Sequence, residues 1–181
     1  MIALYSEKEG QELLEFARKF LEESFKGGKI PVPDKLHFRQ SRGVYVFIKE
    51  NGKIRGSFGF LKAGYALGDA IARAIYNAAF QSVRAPLIED DLKNIKIEVH
   101  VLNDPVKVVD VMKELDFGND GLVCRFMTYK SFLLPNIIQE KGLSKIQFIE
   151  EACSSAGLPK DYWQNGKVEF HKFRVQSFRE I

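Results

Sequence analysis

Apolar residues recur at helical spacing close to the N-terminus. Leu13, Leu14, Phe16, Ala17, Phe20 and Leu21 line one side, and Glu12, Glu15, Arg18, Lys19 and Glu22 lie largely on the other. Ser6 followed by Glu9 forms an S-x-x-E capping box, which satisfies two free backbone donors at a helix start. Gly27-Gly28 ends the pattern, and Pro31 and Pro33 prevent an easy restart. The period then shortens. Val44 to Ile48 is β-branched and aromatic, Asn51-Gly52 suits a type I′ turn, and Lys53 to Phe60 returns, which predicts a hairpin over 43–60. Gly56 and Gly59 sit in the returning strand, where glycine marks a bulge or a close backbone approach.

A second helical stripe, Leu67, Ala70, Ile71, Ala74, Ile75, Ala78 and Ala79, predicts a helix over 66–80. An acidic loop, Glu89-Asp90-Asp91, leads to a strand over 95–102. Its Ile95, Ile97, Val99 and Val101 point one way, and Lys96, Glu98, His100 and Leu102 the other, as in a sheet with one covered face. Val106 to Leu115 is ambiguous between a short helix and an edge strand. Beyond Asn119-Asp120-Gly121 comes a strand over 122–127. Helices are expected over 136–140, ended by Gly142, and from the Ser144/Gln147 capping box to about Ala156, ended by Gly157 and Pro159. A last strand over 167–178 changes phase by one residue near His171, which requires a bulge or burial on both faces. Mixed element order with a tight hairpin and no regular βαβ alternation favours an α+β fold, a mainly antiparallel sheet flanked by helices.

Composition narrows the class. The chain has 181 residues, 45% hydrophobic, a length at which one domain needs no disulfide or metal to hold its core. With 27 basic and 24 acidic residues, the net charge of +3 is no signature of nucleic acid or of an anionic membrane. Cys124 and Cys153 form no CxxC pair and read as small buried hydrophobes. No secretory signal or membrane span is visible, so a cytoplasmic location is expected.

Candidate chemistry lies on two strands. Arg55, Gly56, Ser57 and Gly59 could floor a pocket, the glycines admitting a ligand to the backbone and Arg55 offering a planar fork to a carboxylate or phosphate. The plainer alternative is a glycine bulge with Arg55 in a structural ion pair. Gly-Ser-Phe-Gly is not the G-x-S-x-G elbow of hydrolases. Glu98 and His100, two apart in a strand, project from one face as an acid/base pair, as ligands of a metal, or simply as an exposed polar surface. His37 and His171 read as ordinary surface or strand residues. Lys160, Lys167, Lys172, Arg174 and Arg179 alternate with Phe170, Phe173 and Phe178, as a nucleic-acid stacking platform would, but the interspersed Asp161, Glu169 and Glu180 disfavour it. No motif names a metal, a cofactor or a catalytic residue.

Several stretches together resemble the AMMECR-type domain, the family named from the human Alport-syndrome deletion region. Ser41 to Val46, then Ile54-Arg55-Gly56-Ser57-Phe58-Gly59, is similar to its opening and its hallmark Leu-Arg-Gly-Cys-Ile-Gly. Ile97 to Leu102 resembles its Val-Glu-Val-Ser-Val-Leu, and Asp120 to Val123 its Asp-Gly-Leu-Ile. Phe132 to Pro135 resembles its Leu-Leu-Leu-Pro, and Ala156 to Pro159, before Trp163, its Ala-Gly-Leu-Pro. The resemblance implies a single AMMECR-type domain over 1–181 in two lobes. The larger would hold both termini and a five-stranded antiparallel sheet flanked by helices. It also implies a cytosolic protein and, from bacterial relatives, Memo-type or radical-SAM partners. Ser57 stands where the hallmark has cysteine and Phe58 where it has isoleucine. Ser82-Val83-Arg84-Ala85-Pro86 keeps one Arg and one Pro of an Asp-Pro-Arg-Phe-Pro-Pro stretch. These readings lead to a cleft for a small anionic ligand at Arg55, Gly56, Ser57, Gly59, Glu98 and His100, possible ground for an enzyme. The alternative is a non-catalytic adaptor for a protein partner.

Overall fold

A computed structural model describes residues 5–28, 30–62, 64–81 and 85–181. The chain divides into two compact units, Met1–Leu102 with Gln176–Ile181, and Asn103–Val175. Ser82, Val83 and Arg84, compared above with the family's proline-rich stretch, lie outside the described residues. Among the described residues no helix is long and apolar enough to cross a membrane.

The first unit opens with helix α1 (Glu7–Phe25). Ser6 caps it, Glu9 returns the bond to the Ser6 backbone, and the chain leaves through Gly27 at a φ of 70°. After the short α2 (Leu36–Arg39) come β1 (Gly43–Glu50) and β2 (Lys53–Phe60), joined by Asn51-Gly52 with φ of 50° and 75°, as a type I′ turn demands. Helix α3 (Leu67–Phe80) and β3 (Ile95–Leu102) follow, with a 3-10 turn at Glu89–Lys93 between them. The strands are hydrogen-bonded in the order β2-β1-β3-β7, where β7 (Glu169–Arg179) supplies its last residues to this unit. The first unit's sheet therefore has four described strands, not five.

One face of this sheet is the core wall. Val44, Val46 and Ile48 of β1 and Ile97, Val99 and Val101 of β3 are fully buried against Leu13, Ala17 and Leu21 of α1 and Ala70, Ile71, Ala74 and Ile75 of α3. Small residues on α3 let it lie close to the strands. Arg18 of α1 ties the C-terminus into this wall. Its guanidinium pairs with Glu180 and donates to the carbonyls of Leu92 (3.1 Å) and Ile95 (3.0 Å), while Glu180 accepts from the Ile97 amide at 2.7 Å. Gly10 of α1 makes room for Phe178, whose ring would lie 2.0 Å from an added Cβ.

The second unit is built on β5 (Asp120–Phe126), β6 (Tyr129–Leu133) and the first part of β7. Strand β4 (Val106–Val108) pairs with β7. Helices α4 (Val111–Glu114), α5 (Asn136–Lys141) and α6 (Lys145–Ser155) complete it, with a 3-10 segment at Lys160–Asn165. Val106–Leu115 thus holds both a strand and a helix. β7 pairs with β5 from Glu169↔Arg125 to Arg174↔Asp120 without a register shift. The phase change near His171 therefore reflects burial on both faces, Phe170 on one and Phe173 on the other. Phe170, Phe173 and Phe178 are all buried, so they form no exposed stacking platform. Helices and a mainly antiparallel sheet make this an α+β fold.

Candidate functional site

Residues directly opposed on neighbouring strands share a face. On the side of the first unit's sheet away from α1 and α3, one row runs Ser57–Phe47–Glu98 and the next Gly59–Tyr45–His100. A third places Lys49 across from Lys96. Glu98 and His100 are not exposed as alternation on a half-covered sheet implies. They keep only 8% and 2% of their surface, so both faces of β3 are covered beyond Lys96. A buried carboxylate beside a buried imidazole needs partners, and here it has them.

Glu98 Oε1 lies 2.9 Å from Lys49 Nζ and 3.6 Å from Arg179 Nε, and its Oε2 lies 3.2 Å from His100 Nε2. Burial works to raise the Glu98 pKa. The hydrogen bonds from His100 and Lys49 and the charges of Lys49 and Arg179 outweigh it, lowering the pKa from 4.5 to about 2. The other ring nitrogen, Nδ1, is 2.8 Å from Ser177 Oγ. The ring of Phe47 stands edge-on to His100 at 5.1 Å. An ionised Glu98 can only accept, so a neutral His100 carries its proton on Nε2. Its Nδ1 lone pair then accepts from the Ser177 hydroxyl. Ser177 itself is exposed.

The residues singled out on β2 do not join this cluster. Arg55 sits at the bulge where the β1–β2 register shifts, and its Nη1 donates to the Ala85 carbonyl at 2.7 Å. Gly56 is buried opposite Ile48, in the row that faces the core. At Gly59 an added Cβ would come within 2.3 Å of the Tyr45 ring and 2.4 Å of the Val44 carbonyl. The space left by the missing side chain is thus filled by the protein's own tyrosine. Ser57 shares the face of Glu98 but lies two strands away, roughly 10 Å at the usual strand spacing, with buried Phe47 between them.

Lys49 and Ser177 were not among the residues flagged from the sequence, and Arg179 was flagged only for a nucleic-acid platform, not for this site. Lys49 was within reach, because counting by two from Tyr45 puts it on this face. Ser177 and Arg179 were not, since nothing in the local pattern indicates that β7 pairs with β3. His37 also departs from its expected exposure. It is buried on α2 with Nε2 3.0 Å from Glu12 of α1. Among the described residues no group of three or more His, Cys, Asp or Glu could hold a metal ion.

Comparison with known proteins gives a consistent family. The sequence profile of the AMMECR1 family matches residues 14–178. A protein of Methanosarcina mazei is 34% identical, the alignment covering 98% of this chain and 94% of the relative. One of Methanothermobacter thermautotrophicus is 33% identical, covering 97% and 96%. The crystal structure of PH0010 from Pyrococcus horikoshii superposes with a TM-score of 0.87 at 29% identity, covering 94% of this chain and 91% of that one.

Proposed function

The chain belongs to the AMMECR1 family, and we propose that it binds small anionic molecules on the polar face of its first unit, at Lys49, Glu98, His100, Ser177 and Arg179. One observation carries this reading: two cations, Lys49 and Arg179, converge on a single carboxylate, with a third, Lys96, exposed across from Lys49. The face is therefore left with surplus positive charge. Glu98 fixes the two long side chains, so a carboxylate or phosphate meets cations already ordered. The hydroxyls of Ser177 and, at the far side of the face, Ser57 add hydrogen-bonding capacity. Arg55 and the β2 glycines stay outside this cluster and are read as shaping the hairpin.

Thermal or urea unfolding in phosphate, against chloride at equal ionic strength, tests the reading. At tenfold its dissociation constant, a ligand specific for the folded state adds about 1.4 kcal/mol. The gain should appear in wild type and vanish in the Lys49→Ala/Arg179→Ala double variant. Equal stabilisation of both proteins overturns it.

A second reading, an adaptor for a protein partner, draws on a different surface. Phe58, Tyr65 and Tyr76 of the β2–α3 region are 37%, 40% and 45% exposed, and Phe58, Phe60 and Tyr65 form a chain of edge-on rings. A stoichiometric partner that is retained by wild type but lost by Phe58→Ser/Tyr76→Ser supports it. Retention by both excludes this surface.

A further inference from the structure

We propose that Ser177 is a catalytic nucleophile, activated by His100 as general base with Glu98 as its positioning residue, and that it hydrolyses small carboxylic esters carrying an additional anionic group. The substrate class rests on the anion-binding reading above, whereas the nucleophile does not.

A serine hydroxyl is a weak nucleophile unless a neighbouring base takes its proton, and that base must be held in the right tautomer. Ser177 Oγ is 2.8 Å from His100 Nδ1, and His100 Nε2 is 3.2 Å from Glu98 Oε2. Serine, imidazole and carboxylate thus form one line, with the buried end ionised and the outer end open to solvent. The imidazole is turned over relative to the usual triad, presenting Nδ1 rather than Nε2 to the hydroxyl. Either nitrogen can serve, provided the opposite one is held by an acceptor. The arrangement would be odd as packing alone, because Glu98 and His100 are costly to bury, and Ser177 needs no buried partner at an exposed position.

Ser177 is open to a substrate because it is exposed at this end of β7. The depression of about 330 Å3 that it borders belongs to the other side of the sheet, where Glu7, Gln11 and Leu14 of α1 line it with Phe178. Arg179 is two residues further along β7 and so on the same side of the strand, with 59% of its side chain exposed. Its charge can offset an oxyanion forming beside Ser177. In the first step the Ser177 O–H bond breaks, its proton passes to His100 Nδ1, and Oγ bonds to the ester carbonyl carbon. The carbonyl electrons move to oxygen and return as the alkoxide leaves, taking the proton from Nδ1. Water then repeats the sequence on the acyl-serine, releasing the acid and restoring the hydroxyl. Glu98 stays ionised throughout, stabilising the transient imidazolium.

The test treats the full chain with a fluorophosphonate, which forms an Oγ–P bond and loses fluoride, and maps the adduct by peptide mass spectrometry. The expected result is an adduct on Ser177, absent in Ser177→Ala and formed on the order of 100-fold more slowly in His100→Asn. Because a buried histidine variant can fail to fold, Glu98→Gln provides the second arm. It should lower kcat for the uncharged ester p-nitrophenyl acetate, whose binding does not draw on the Lys49 and Arg179 charges, with KM nearly unchanged, and Glu98→Asp should recover part of the loss. No adduct on Ser177 overturns the nucleophile whatever phosphate does to stability, and an equal rate in Glu98→Gln overturns the positioning role of Glu98. Ser177-dependent cleavage of p-nitrophenyl acetate and the succinate monoester at equal rates supports the nucleophile and overturns the anionic substrate. Preference for the succinate that disappears in Lys49→Ala supports both.

Discussion

Replacing Glu98 by glutamine removes one charge and leaves the shape of the site. The carboxyl pKa of 4.5 falls to about 2 in the folded chain. At about 1.4 kcal/mol for each tenfold change in proton affinity, its ionisation contributes about 3 kcal/mol to stability at neutral pH. A depressed carboxyl pKa stabilises fully above its unfolded value and loses that contribution as the pH falls toward the folded one. The contribution is therefore intact above about pH 5, about 1 kcal/mol at pH 3, and nearly gone at pH 2. Urea unfolding of wild type and Glu98→Gln at pH 7, 5, 4 and 3 measures it. The difference in stability between the two proteins should shrink by about 2 kcal/mol from pH 7 to pH 3, most of it below pH 5. A difference that stays constant over that range would mean that Glu98 gains nothing from Lys49, His100 and Arg179.

Two further predictions concern packing. Glycine to alanine inside a helix normally stabilises by about 1 kcal/mol, but at Gly10 the added Cβ meets the buried Phe178 ring at 2.0 Å. Gly10→Ala should instead lower the unfolding free energy measured in urea by about 1–2 kcal/mol after the propensity gain, and in a Phe178→Leu background the same change should turn neutral or favourable. Cys124 and Cys153 are both buried with their sulfurs 4.0 Å apart, and the neighbouring Cys153 thiol together with burial pushes the Cys124 pKa up. A thiol reagent should leave both unmodified in the native chain over hours and titrate both in denaturant; rapid native reaction would contradict the burial.

Much of the fold was legible because its elements carry local chemistry. The Ser6/Glu9 and Ser144/Gln147 capping boxes and the Asn51-Gly52 turn act within a few residues, and each was found where the sequence placed it. β6 was missed because its turn after β5 passes through Met127 at a φ of 52°, a conformation neither glycine nor asparagine announces there. The site was less legible. Glu98 and His100 stood out by type and spacing, but alternation cannot tell a solvated face from one that is covered twice. Gly59 was correctly marked as unusual. What occupies its space is Tyr45, and only the register across the hairpin reveals that. Ser177 is 77 positions from His100 in the chain. Their meeting depends on β3 lying beside β7, a long-range choice made by packing rather than by any short motif.

Backbone-amide NMR during a titration with succinate tests most directly whether the polar face around Glu98 receives a small anion. The prediction is saturable shifts centred on Lys49, Glu98, His100, Ser177 and Arg179 that fit one dissociation constant and disappear in Lys49→Ala/Arg179→Ala. Shifts that grow linearly without saturating, or that centre on Arg55 to Gly59 and spare β3 and β7, would contradict it.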